Sequence, residues 1–212
     1  MISVTIIILM LTCVISFTAF SNEKLTQDLI FYPPAVTNRN QWYRFITCGF
    51  IHADFMHLAF NMYTFYLFGG IVEPAFVEIF GSSGKALYTI CYIFALIVCL
   101  LPTYLQHRDN YHYRSLGASG AVSAIIFIGI VLYPTMGMRI FPIPVSIPAF
   151  IFGPLYLIVS AYLAKKGRGN INHSAHIWGA IFGIVYLIIT CQFMSSFRPV
   201  QHFVDEVSGY FR

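Results

Sequence analysis

Six predominantly apolar runs divide the chain: Ile2–Phe20, Asp54–Val72, Ala86–Leu105, Gly117–Tyr133, Ile147–Ala164 and Ser174–Cys191. Each is about as long as a helix must be to cross the hydrocarbon core of a bilayer. Of 212 residues, 58% are apolar and 9% charged, where an ordinary soluble domain carries about 25% charged residues. A soluble fold cannot hide that much apolar surface. In lipid, each run must satisfy its own backbone hydrogen bonds, so the pattern predicts an all-α polytopic membrane protein with six transmembrane helices. The first run lacks a basic leading region and an A-x-A-type cleavage site, and reads as a retained helix.

The links carry less information. Residues 21–53 hold Tyr32-Pro33-Pro34 and Gln41-Trp42-Tyr43-Arg44, aromatics suited to the headgroup zone. Glu73–Lys85 turns at Gly81-Ser82-Ser83-Gly84, and Gln106–Ser115 leads into the fourth run. Pro134, Pro142 and Pro144 mark the next link, and Lys165–Asn170 separates the last two runs. The six runs make a core over residues 1–191. In the tail, 192–212, apolar residues at 200, 203, 204, 207 and 211 have the spacing of an amphipathic helix lying on a membrane surface.

Several function classes are disfavoured. The net charge of +4 is scattered, with no basic block for nucleic acid. The five cysteines form neither a metal pattern nor a disulfide framework. His173 and His176 are three apart and could share a metal with His52, but no carboxylate accompanies them and H-E-x-x-H is absent, so neither metal nor cofactor is expected. Residue 121 is alanine, which breaks the G-x-S-x-G of a hydrolase elbow. No inverted repeat points to a transporter.

Polar residues inside membrane runs are functional suspects. Ser119 sits between Gly117 and Gly120 at the mouth of the fourth run. A helix start offers free N–H groups and positive dipole beside the hydroxyl, which suits a nucleophile whose target develops negative charge. Read alone, the stretch suits a small-residue packing face better. In the sixth run Ala175, Gly179 and Gly183 recur every four residues, leaving one face nearly bare. Packing that face on the fourth run would set His176 beside Ser119. His57 and Asn61, one turn apart on the second run, could join the Ser119 N–H in an oxyanion site or simply bond a neighbouring helix.

Together His57-x-x-x-Asn61, Gly117-Ala118-Ser119-Gly120 and Ala175-His176-x-x-Gly179, in that order along the chain on the second, fourth and sixth runs, resemble the rhomboid family of intramembrane serine proteases. Arg44, Gly69-Gly70-Ile71-Val72-Glu73 and Gly183 extend the similarity, which covers about Trp42 to Val185. The resemblance implies a compact bacterial-type six-span bundle with Ser119 as nucleophile, His176 as general base and no third acidic member. His57, Asn61 and the Ser119 amide would bind the oxyanion. Arg44 and Glu73 would brace the first link and the end of the second span. The implied partners are the bilayer and the transmembrane segment of a protein substrate, cut near the outer surface. A rhomboid-like pseudoprotease that binds transmembrane helices is the alternative.

The family pattern and this chain differ in two places. Bacterial members often carry a tyrosine one turn after the nucleophile, stacked on the histidine; here that position is Ser123. The usual Trp-Arg pair is spaced as Trp42-Tyr43-Arg44. The resemblance also implies a bacterial inner membrane, cytoplasmic termini and a site opening outward. Loop charge points the other way: eight Lys and Arg lie in the first, third and fifth links, against four on the opposite side.

Overall fold

The computed structural model describes residues 2–139, 145–166 and 172–212, and the chain is mostly helical. The helices are α1 (Val4–Phe20), α2 (Glu23–Leu29), α3 (Pro33–Arg39), α4 (Arg44–Thr47), α5 (Phe55–Phe80), α6 (Gly84–Val98), α7 (Leu101–His107), α8 (Ser119–Leu132), α9 (Ala149–Lys166), α10 (His173–Met194) and α11 (Pro199–Tyr210). A small antiparallel hairpin, β1 (Gly137–Arg139) with β2 (Ser146–Pro148), precedes α9.

By length and composition, three stretches among the described residues could cross a membrane: Phe55–His107, Ala149–Lys166 and His173–Met194. Val4–Phe20 and Ser119–Leu132 are apolar but shorter.

The central helix is α8. Gly120–Ile125, Phe127–Ile130 and Leu132 are all buried, so the helix is enclosed on every side, as its all-round apolar sequence requires. It packs on α5, α6 and α10, with α9 and α11 alongside. Its 14 residues span only about 21 Å. By contrast α9 lies at the edge, with only Ala149, Gly153 and Ser160 buried. At the far end of α8, His202 of α11 bonds the Leu132 carbonyl at 2.8 Å and satisfies one of the helix's orphan acceptors.

The helix limits depart from the apolar runs in instructive ways. The helix of the second run, α5, does not stop at Val72 but continues to Phe80 through Glu73 and Pro74. Glu73 is tolerated there because it serves a neighbour. Its carboxylate accepts from Ser3 Oγ (2.6 Å), Val4 N (2.8 Å) and Thr5 N (2.8 Å), capping the start of α1. Gly69 lies at the same junction, where a side chain would run into Thr5 and the Tyr88 hydroxyl.

The third run, 86–105, is not one helix: α6 ends at Val98 and α7 resumes at Leu101, with Pro102 in its first turn. The helix of the fourth run, α8, starts at Ser119 rather than Gly117. That of the fifth, α9, starts at Ala149, because Ile147 belongs to the hairpin, and it runs on to Lys166. The first link contains three short helices. Arg44 secures them, donating to Gln41 Oε1 (2.6 Å) and to the Gln27 (2.8 Å) and Ile30 (2.7 Å) carbonyls at the end of α2. Pro142, Pro144 and the stretch 167–171 lie outside the described residues.

Candidate active site

Three helix N-termini, those of α5, α8 and α10, converge on a cavity of about 600 Å³. Their positive dipole ends all favour negative charge in that space. The lining includes His57, Asn61, Gly117, Ser119, Gly120, Ala175 and His176, with Asp54 and Arg114 among the polar groups and Phe60, Leu96 and Leu100 among the apolar ones. Arg44 and Glu73 are not part of this lining.

Ser119 is held by the loop before it. Phe31 and Ser115 exchange backbone hydrogen bonds of 3.0 and 3.1 Å, and Gly117 N donates to the Cys48 carbonyl at 2.9 Å. The Ala118 amide donates to His52 Nε2 at 3.4 Å. At Gly117 φ is +110°, which disfavours any side chain, and a Cβ there would sit 2.9 Å from His57 Nε2. Glycine is needed at 117 for both reasons.

The imidazole of His176 is one turn into α10. That turn is fixed by Asn172, whose Oδ1 accepts from Ala175 N (3.0 Å) and whose Nδ2 donates to Thr103 Oγ1 (3.1 Å). His176 Nε2 and Ser119 Oγ are 2.8 Å apart. The approach depends on the bare face of α10: a Cβ at Gly179 would strike the Gly120 carbonyl, and one at Gly183 the Ala124 carbonyl. Gly120 in turn faces Cys99 Sγ and the Ala175 carbonyl.

His57 and Asn61 are on the cavity side of α5. His57 Nδ1 accepts from Ala53 N at 3.4 Å, which leaves the ring proton on Nε2, next to Gly117. Asn61 Nδ2 uses one hydrogen on the His57 carbonyl at 2.9 Å and retains the other. With the Ser119 amide, these groups can stabilise an oxygen that gains charge.

Two residues of this neighbourhood escaped the sequence reading in these roles. His52, considered there only as a metal ligand, is a brace. It is buried, and its Nδ1 lies 2.9 Å from Ser16 Oγ, which donates to the Phe50 carbonyl. Since Nε2 accepts from Ala118, Nδ1 carries the proton and the chain of bonds runs one way. Burial, then the neighbouring His57 ring, holds His52 far below the usual histidine range, at about 3, although Asp54 opposes the shift. The second is Tyr156 of α9, whose ring faces His176 at 6.3 Å. Neither has a local sequence signal beyond a polar group in an apolar setting. Among the described residues no three His, Cys, Asp or Glu side chains are grouped to hold a metal.

Comparison with known proteins adds an independent finding. A family model described as Rhomboid domain matches residues 39–193. The chain is 28% identical over 162 residues to Rhomboid-like protein 11, chloroplastic, of Arabidopsis thaliana, covering 73% of this chain and 55% of that protein. It is 31% identical over 145 residues to RHOMBOID-like protein 12, mitochondrial, of the same plant, covering 64% and 42%. It is 24% identical over 182 residues to Rhomboid protease GlpG of Haemophilus influenzae, covering 85% and 87%. The chain thus spans about half the length of the two plant relatives.

Proposed function

Because the chain belongs to the rhomboid family and is an integral membrane protein, we propose that it is a serine endopeptidase cleaving transmembrane segments of other proteins inside the bilayer. The observation that carries this reading is the 2.8 Å approach of His176 Nε2 to Ser119 Oγ beneath a cavity lined by further hydrogen-bond donors. His176 Nε2 takes the Ser119 proton as Oγ attacks the scissile carbonyl carbon. The carbonyl oxygen gains negative charge and is met by the Ser119 amide, His57 Nε2–H and the free Asn61 hydrogen. When the intermediate collapses, the C–N bond breaks and the imidazolium returns the proton to the leaving amine. A water molecule, deprotonated by His176, then hydrolyses the acyl-serine.

Six helices (α1, α5, α6, α8, α9 and α10) cross the membrane in this reading, with both termini cytoplasmic and the cavity opening outward. The shortness of α8 fits a water-holding space above Ser119. A peptide bond in a stable transmembrane helix is hydrogen-bonded and shielded, so the substrate must unwind locally before attack. The far end of α8, where α11 docks, is then the inner face, and α11 lies along the interface with Val200 and Val204 exposed.

The protein reconstituted in vesicles with a model transmembrane substrate tests the reading. Cleavage by the wild type and none by Ser119→Ala is the expected result. Binding of the substrate helix without cleavage would instead support the pseudoprotease alternative.

A further inference from the structure

The side chain of His176 makes one hydrogen bond among the described residues, to Ser119. A single bond leaves the imidazole free to swing about its side-chain torsions, so something else must hold the ring. The position one turn after the nucleophile is Ser123, which has no ring to offer.

The ring comes from another helix. Tyr156, on α9, lies over His176 with centroids 6.3 Å apart and planes 21° from parallel, an offset stack within the usual range for aromatic pairs. Its hydroxyl is 3.3 Å from Ser123 Oγ. Tyr156 therefore touches the base-bearing helix with its face and the nucleophile-bearing helix with its tip. Its own place is fixed by Phe152, stacked at 6.0 Å and 28°, and by Phe127 of α8 at 5.9 Å. His173 meets His176 only edge-on, at 5.8 Å and 79°.

We propose that Tyr156 is the positioning residue for His176: an aromatic support whose ring reaches the imidazole from α9, where Ser123 itself carries no ring. This role rests on the protease reading. It makes the orientation of the base depend on how α9 docks, and α9 is the helix with the fewest buried residues of the long ones. Removing the ring should let the imidazole drift. A displacement of about 1 Å costs up to roughly a hundredfold in rate. The loss should fall on kcat, because Tyr156 is not among the residues lining the cavity.

The test measures kcat and KM for a transmembrane reporter substrate, with fluorophosphonate labelling rates, on the purified full chain. Variants are Tyr156→Leu, Tyr156→Met, Tyr156→Phe and Ser123→Ala, each compared by thermal melting. The Leu and Met variants should lower kcat about ten- to a hundredfold and slow labelling in parallel, with KM within about twofold. Two ring-removing variants are used so that a folding failure in one leaves the other to decide. Tyr156→Phe should rescue the rate to within about threefold, and Ser123→Ala should behave like it, since both keep the stack and lose only one neutral hydrogen bond. Wild-type kcat in a folded Leu or Met variant, or a loss in KM alone, would overturn the role while leaving the protease reading intact. A wild type that neither cleaves nor labels at Ser119 would overturn that reading, and the role with it.

Discussion

The Gly120 carbonyl oxygen occupies the space that a side chain at Gly179 would need. The contact is backbone against backbone, so neither side can rotate away. With α8 enclosed on all sides, the only relief is for α10 to move off. Gly179→Val should therefore lower cleavage about a hundredfold without altering a reacting atom, by displacing His176. Gly179→Ala should show a smaller loss of the same kind. Activity assays beside thermal melting check this, and full activity in a folded Val variant would mean the two helices do not meet here.

A second expectation concerns acid. His52 holds the Ala118 amide through an unprotonated Nε2, and its folded pKa of about 3 lies below the ordinary 6.5. An unfolded chain takes up a proton below pH 6.5 that the folded chain refuses until about 3. His52 thus contributes stability that is full above pH 6.5 and is lost as pH falls through that window. Melting temperature measured between pH 7 and 4 should decline in the wild type. In His52→Gln, which keeps an acceptor and has no titration there, the decline should be shallower. Equal slopes would remove His52 from the account of acid sensitivity.

The oxyanion role proposed for His57 and Asn61 predicts that turnover and binding separate. Deleting one preorganised donor costs about 100- to 1,000-fold in turnover when it faces developing charge. Asn61→Ala should fall at or below the lower end, since His57 Nε2–H and the Ser119 amide remain. His57→Ala/Asn61→Ala should lose at least the full amount, with substrate-helix affinity nearly unchanged. Collapse of affinity with normal turnover of bound substrate would assign both residues to recognition or structure.

Much of this was legible in the sequence because its signals are local. A run of apolar residues at bilayer length needs no partner to be read, and Gly-Ala-Ser-Gly, His57-x-x-x-Asn61 and Ala175-His176-x-x-Gly179 each lie within one helical turn or two. Helix ends were less legible where a neighbour sets them. The second run reads as ending at Val72, but the Glu73 carboxylate beyond it is offset by the N–H groups of α1, nearly 70 residues away in sequence. Arg44 likewise gathers carbonyls from a helix too short to show a period of its own. Tyr156 could not be found at all. Its meaning depends on Ser123, 33 residues earlier, and on α9 docking against α10, which no spacing within the apolar run encodes.

The central claim is that Ser119 is a nucleophile activated by His176. Labelling of the purified protein by a serine-directed fluorophosphonate, with the modified residue mapped by peptide mass, tests it most directly. The account predicts one adduct, on Ser119, absent in Ser119→Ala and strongly reduced in His176→Ala, with the double variant no worse than either alone. Labelling at another serine, or undiminished labelling in His176→Ala, would contradict it.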